Sequence, residues 1–219
     1  MEAADAHLSK DPVLARLIAD QGGPLPIEHD SRGRPPDLYG ALLRSITGQQ
    51  LSIKATQAIY GRLTARFGGR APGPAELLAA DPDELRAAAG LSRAKVASLR
   101  SLAEHVLDGE LELDRMAQLD DGEVIRALVA VKGIGEWTSH MFLIFTLRRP
   151  DVLPTGDQGI RNAVMRAYGL AAPPDPADLT DLAEPWRPYR TRACLYLWRS
   201  LGNEPLSGGA DEPEERGRP

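Results

Sequence analysis

Apolar residues recur along this 219-residue chain at the spacing of a helix face, and nowhere do they alternate as a half-buried strand requires. Leu38, Leu42, Leu43 and Ile46 form one stripe of a helix. A second segment over 52–67 carries Ile59 and Leu63 on one side, with Ser52 as its N-cap and Gly68-Gly69 to stop it. Asp81-Pro82-Asp83-Glu84 starts another, with Asp as N-cap, Pro in the first turn and acids at the positive end of the dipole. Ser92 opens the next, striped by Val96, Leu99, Leu102, Ala103 and Val106 and ended by Gly109. Asp120 or Asp121 opens one that carries Val124, Ile125, Leu128 and Val129. Prolines gather between these segments, at 24–36, 72–74 and 173–176, and no repeat of fixed period is present. The class predicted is all-α. Beyond Pro205, Gly208-Gly209 and the acidic run predict a disordered tail over 206–219.

Composition narrows the function classes. The longest unbroken apolar stretch is Met141–Phe145, far short of the roughly 20 residues of a membrane span. The acidic start, Met1-Glu2-Ala3-Ala4-Asp5, lacks the apolar core of a secretory signal, so a cytoplasmic protein with no membrane partner is expected. One cysteine, Cys194, cannot close an internal disulfide and excludes a four-cysteine zinc or iron–sulfur site within the chain. It shares a helical face with Leu197, Trp198 and Leu201, which reads as a small core residue before it reads as a nucleophile. His7, His29, His105 and His140 lie far apart, and the common hydrolase and nucleotide-binding signatures are absent. A net charge of −5 weighs, taken alone, against a nucleic-acid partner. Distribution matters more than the sum: Arg187, Arg190, Arg192 and Arg199 fall in a stretch without acids, interleaved with Trp186, Tyr189, Tyr196 and Trp198.

Two segments stand apart. In 128–138 a helix ends, the turn Lys132-Gly133-Ile134-Gly135 follows, and a new helix starts at Glu136-Trp137-Thr138. Glycines on both sides of one apolar residue permit a tight turn with Ile134 buried. They also leave N–H groups open at a helix N-terminus, which suits a phosphate. An ordinary αα-hairpin has the same pattern. In the second segment, Leu153-Pro154-Thr155-Gly156-Asp157, Pro and Gly break the chain and Asp157 meets the start of a helix marked by Ile160, Val164 and Ala167. An N-cap is the usual role of such an aspartate. The dipole and N–H donors also stabilise its negative charge, and a fixed carboxylate can steady a cationic transition state or orient a water.

In this order the pieces resemble the helix-hairpin-helix (HhH-GPD) DNA glycosylase superfamily, most closely the alkylated-base branch typified by AlkA, the DNA-3-methyladenine glycosylase II type. The likeness runs from about Leu38 to Leu201 and rests on Ser45–Ser52, the Val131–Thr138 hairpin, Leu153–Asp157, Trp186–Arg190 and Trp198. It implies a two-lobed helical body: a helical barrel over 38–148 with the helix-hairpin-helix at about 124–145, and a second lobe over 149–205 joined by the arm 1–37. The hundred-residue β domain typical of AlkA enzymes is not expected in so short an arm. The resemblance makes Asp157 the catalytic residue and places Trp137, Met141 and Trp198 at the base pocket. Gln50 or Leu51 becomes the wedge that fills the gap left by a flipped nucleotide. Backbone N–H groups of the hairpin, Lys132, Gly133, Ile134, Gly135 and Thr138, would grip a phosphate, with a monovalent cation (Na+ or K+) on its carbonyls and no catalytic metal.

Relatives that also cut the strand carry a lysine two residues after the hairpin's second glycine. Trp137 stands there, so a monofunctional enzyme is expected. The implied partner is double-stranded DNA with an alkylated base, bound by a monomer without iron–sulfur or other cofactor. Lys132, Arg148, Arg149 and Arg161 are the candidate basic face. Two rivals stand beside this reading: a non-catalytic damage-binding module of the same fold, and a glycosylase for uracil, mismatched or oxidised bases.

Overall fold

A computed structural model describes residues 2–22 and 37–202; the predicted loop over 24–36 and tail over 206–219 lie outside the described residues. Twelve α-helices run through the described chain, and no strand is found among those residues. They are α1 (Glu2–Leu8), α2 (Pro12–Asp20), α3 (Leu38–Gly48), α4 (Ile53–Arg66), α5 (Pro74–Ala79) and α6 (Pro82–Ala89). After these come α7 (Arg93–Leu107), α8 (Asp121–Val129), α9 (Glu136–Phe145), α10 (Gln158–Tyr168), α11 (Pro176–Leu182) and α12 (Arg190–Ser200). The caps that open them are those the sequence names. Ser52 Oγ accepts from Ala55 N–H (3.2 Å), Asp81 from Asp83 and Glu84 N–H (2.9 Å each), and Ser92 Oγ from Lys95 N–H (3.2 Å). At α8 the cap is Asp120 rather than Asp121, because Glu123 reaches back to the Asp120 N–H and completes a capping box.

Helices α3 to α7 pack on one another, α3 against α4 and α7, α4 against α6, and α5 against α7, while α8 pairs with α9. The two ends of the chain meet: α2 packs on α12, and α12 on α10. Leu42, Leu43 and Ile46 of α3 are fully buried, as are Leu99 and Leu102 of α7. Each such side chain contributes about 1.5–3 kcal/mol on leaving water. Cys194 is buried among them, which raises its thiol pKa and confirms the core reading.

Much of the aromatic and arginine-rich stretch is structural, through Trp186, Arg187, Arg190, Arg192 and Tyr196. Trp186 and Tyr196 are fully buried. Asp11, the α2 N-cap, accepts from Tyr168 Oη–H (2.6 Å), and Asp151 takes Arg187 at 2.7 Å and Arg190 at 2.8 Å. Arg192 forks onto Asp5 (2.5 and 2.8 Å), which also accepts from Tyr196 Oη–H (2.9 Å). Burial alone would raise the Asp5 pKa, but the Arg192 guanidinium and the Tyr196 hydroxyl outweigh it and hold it below the usual carboxylate value. Asp5→Ala is therefore expected to cost about 3 kcal/mol by stripping a buried guanidinium of its carboxylate, a fall of roughly 6–12 °C in Tm. The pH profile carries the same signature. A depressed folded pKa gives stability present above the unfolded value and lost as pH falls through the folded one, so the variant should lose part of the acid-side slope below about pH 4. Thermal melts from pH 2.5 to 7 check both; equal slopes in the two proteins would contradict the assignment.

Candidate active site

Most helix N-termini among the described residues are closed by side-chain acceptors, whereas the N-cap residues of α5, α9 and α12 make no side-chain cap. Asp11, Asp37, Ser52, Asp81, Ser92, Asp120, Asp157 and Asp175 cap their helices through a carboxylate or hydroxyl. Gly135, at the head of α9, makes no side-chain cap. The first-turn N–H groups of α9 are thus free of side-chain acceptors, and they stand on a turn whose Lys132, Gly133 and Gly135 are exposed while Ile134 is buried. Thr138, in the same first turn, is buried. Gly133 has φ +84°, and a Cβ there would lie 2.1 Å from Ser98 Oγ of α7, so only glycine fits. Ser101 of the same helix accepts from Lys132 N–H at 3.1 Å. The hairpin is seated on α7.

Asp157 does cap α10, and it does more. Its Oδ1 accepts from Ile160 N–H (2.7 Å) and from Trp198 Nε1–H (2.9 Å); its Oδ2 accepts from Trp137 Nε1–H (2.6 Å). Asp157 is 6 % exposed, Trp198 1 % and Trp137 42 %, so Oδ1 is held by buried donors and Oδ2 by the exposed indole. All three donors are neutral, and among the described residues no cation pairs with Asp157. Its charge is held by dipoles alone and stays available to a positive charge developing beside it. Met141, one turn after Trp137 on α9, is buried, and Phe145 lies with its ring 6.1 Å from that of Trp198. The sequence-predicted Asp157, Trp137 and Trp198 thus meet in direct contact, with Met141 on the Trp137 face of α9.

Gly159 belongs to this arrangement and escaped sequence reasoning. A Cβ on it would come within 2.9 Å of Asp157 Oδ1 and 3.3 Å of Trp198 Cδ1 and Nε1. Its proximity to Asp157 in the sequence was the sole hint.

Of the two wedge candidates, Gln50 is exposed with φ +61°, a left-handed conformation costing roughly 1–2 kcal/mol for a residue with a Cβ, whereas Leu51 is half-buried. Gln50 is the tip. The basic face needs two corrections. Arg149 is folded inward onto the carbonyls of Met116 (3.2 Å), Ala117 (3.0 Å) and Leu119 (2.6 Å), with Asp121 at 3.4 Å. Arg161 donates to the Pro174 carbonyl (2.7 Å), tying α10 to the loop before α11. Both guanidinium groups are engaged by loop carbonyls, so Lys132 and Arg148, both exposed, are what remains of that set. Among the described residues no three His, Cys, Asp or Glu side chains come together as a metal site.

Comparison with known proteins agrees with this geometry. The family model described as HhH-GPD superfamily base excision DNA repair protein matches residues 43–188. DNA-3-methyladenine glycosylase 1 of Schizosaccharomyces pombe is 36 % identical over 200 residues, which is 90 % of this chain and 86 % of that protein. Among solved structures, the S. pombe 3-methyladenine DNA glycosylase Mag1 in complex with abasic DNA superposes with a TM-score of 0.77 at 34 % identity, covering 91 % of this chain and 97 % of that one. A DNA-3-methyladenine glycosidase from Bacillus halodurans gives 0.77 at 37 % identity, covering 90 % and 87 %. The matched span takes in the glycine hairpin, the Asp157 cap and the loop of Gln50 together, and by that match the chain belongs to the HhH-GPD superfamily of base excision DNA repair proteins.

Proposed function

We propose that the protein is a monofunctional DNA glycosylase that hydrolyses the N-glycosidic bond of alkylated bases of the 3-methyladenine type and leaves an abasic site. The observation that carries this is the Asp157 carboxylate, fixed by three neutral N–H donors, one of them the N–H of the half-exposed Trp137 indole. A phosphate binds the uncapped start of α9, beside Lys132. The damaged nucleotide is extruded at a cost of a few kcal/mol, less where alkylation weakens pairing. A cationic alkylpurine stacks favourably on an electron-rich indole face, for which Trp137 is placed. Such a base already leaves readily, so a single carboxylate suffices: Asp157 steadies the oxocarbenium-like sugar as the bond opens, and water completes the hydrolysis. Trp137 in place of an amine nucleophile leaves no group to form a Schiff base.

In this reading α3–α9 form one lobe, and α10–α12 with α1 and α2 form the other, with Asp157 between them. The protein works as a DNA-associated cytoplasmic monomer without a redox or metal cofactor. A monovalent cation suits the hairpin's neutral carbonyl donors, where Gly133 O and Val131 O each already accept one hydrogen bond and keep a second lone pair. Base release from duplexes holding one 3-methyladenine, 7-methylguanine, ethenoadenine, uracil or 8-oxoguanine tests the proposal. Release of the cationic purines with strand breaks only after hot alkali is expected. Excision confined to uracil or 8-oxoguanine would assign a neighbouring specificity, and binding with no excision at all would make the protein a damage-binding module.

A further inference from the structure

Three segments distant in sequence converge behind the Gln50 tip. The carbonyl of Thr47, in the last turn of α3, accepts from Lys95 Nζ of α7 at 2.5 Å. Gln49, the α3 C-cap, turns the other way: its Nε2 donates to the hairpin carbonyl of Gly133 (2.9 Å) and to Thr138 Oγ1 (3.3 Å). The hairpin is itself seated on Ser98 and Ser101 of α7. A close approach completes the frame, since a Cβ on Gly48 would lie 2.7 Å from Thr56 Cγ2 of α4. A lysine at a helix C-terminus satisfies carbonyls that have no intrahelical partner, and here that carbonyl lies three residues before the exposed, left-handed Gln50. Neither Gln49 nor Lys95 touches Asp157, Trp137 or Trp198 in the hydrogen bonds of the site. Burial lowers the Lys95 pKa, as expected for an ammonium spent on the fold rather than on solvent.

Resting on the glycosylase reading above, we propose that Gln49 and Lys95 are positioning residues that brace the Gln50 tip against the phosphate-binding hairpin, so that gripping the backbone and opening the base stack occur as one rigid step. A tip strained in the left-handed region does not hold its direction unaided; the brace gives it a fixed height above the hairpin. Loss of the brace leaves the phosphate grip and Asp157 intact while the tip slackens.

The test uses Gln49→Leu and Lys95→Met, with Lys95→Arg as the conservative rescue. Single-turnover base release is read from a lesion in a fully paired duplex and from the same lesion opposite an abasic site, where no pairing opposes extrusion. Extrusion itself is read from the brightening of 2-aminopurine placed beside the lesion, which needs no chemistry. The expected result is about a ten-fold loss on the paired substrate, the scale of one or two hydrogen bonds, with less than about two-fold on the unpaired one. Brightening falls in parallel, and Lys95→Arg recovers most of both. Equal losses on both substrates with brightening preserved, or no loss on either, would overturn the proposal. Should the wild type release no base at all, the glycosylase reading fails, while the 2-aminopurine signal still decides the brace: reduced brightening in the variants supports it and unchanged brightening refutes it.

Discussion

Replacing Asp157 by Asn is expected to lower single-turnover base release by about a hundred- to a thousand-fold, with duplex affinity held within about two-fold. The reasoning starts from the three partners of the carboxylate, Ile160 N–H, Trp198 Nε1–H and Trp137 Nε1–H, all of which donate. An amide has one acceptor oxygen. Set at the Oδ1 position, it keeps Ile160 and Trp198 and turns its own NH2 against the Trp137 indole N–H, donor against donor. Trp137 is half-exposed and can turn to water, so the fold loses only about 1 kcal/mol. Catalysis loses the full negative charge beside the sugar, roughly 2.7–4 kcal/mol of transition-state stabilisation. Base release is measured by glycosidic product formed under enzyme excess, and binding by anisotropy of a labelled duplex. An Asn variant with wild-type rates would remove Asp157 from the chemistry and leave it as a helix cap.

Much of this was legible because it is local. An N-cap is a residue type followed by its own helix, so Ser52, Asp81, Ser92 and Asp157 announce themselves within four residues, and the buried Ile134 between two glycines does the same. What surrounds Asp157 is not local. Its indole donors come from 20 residues before and 41 after, and their convergence is a property of how α9, α10 and α12 pack. The resemblance named Trp137, Trp198 and Asp157 together where residue spacing alone could not. Charge was the weakest guide. Arg149 and Arg161 look on paper like any surface arginine, yet each closes on carbonyls that the turns of a tertiary fold leave unpaired. Gln49 and Gln50 show the limit most plainly: identical neighbours, one pinned to the hairpin and one thrust outward, separated only by a backbone angle of +61°.

Gly159→Ala is the second large effect, expected to slow base release about ten- to a hundred-fold while lowering stability by no more than about 2 kcal/mol. The two halves of that statement have different origins. Alanine is worth about 1 kcal/mol more than glycine inside a helix, and Gly159 is the second residue of α10. The new methyl, however, arrives 2.9 Å from Asp157 Oδ1 and 3.3 Å from Trp198, and overpacking of this kind costs about 1–3 kcal/mol. The balance is a loss of about 0–2 kcal/mol, so the melting temperature should fall by no more than about 8 °C. The geometry has no such offset. Trp198 is fully buried against Phe145 and cannot retreat, so the shift falls on the carboxylate, whose place beside the reacting sugar tolerates little error. Gly156, three residues earlier, supplies the control: it is exposed, and a Cβ there meets nothing within 4 Å, so Gly156→Ala should keep its rate within about two-fold. A rate loss at 159 and none at 156, with both variants fully folded at the assay temperature, would show that clearance for the carboxylate is what the glycine provides. Equal tolerance at the two positions would mean that Asp157 has room to move and that its placement is not what sets the rate.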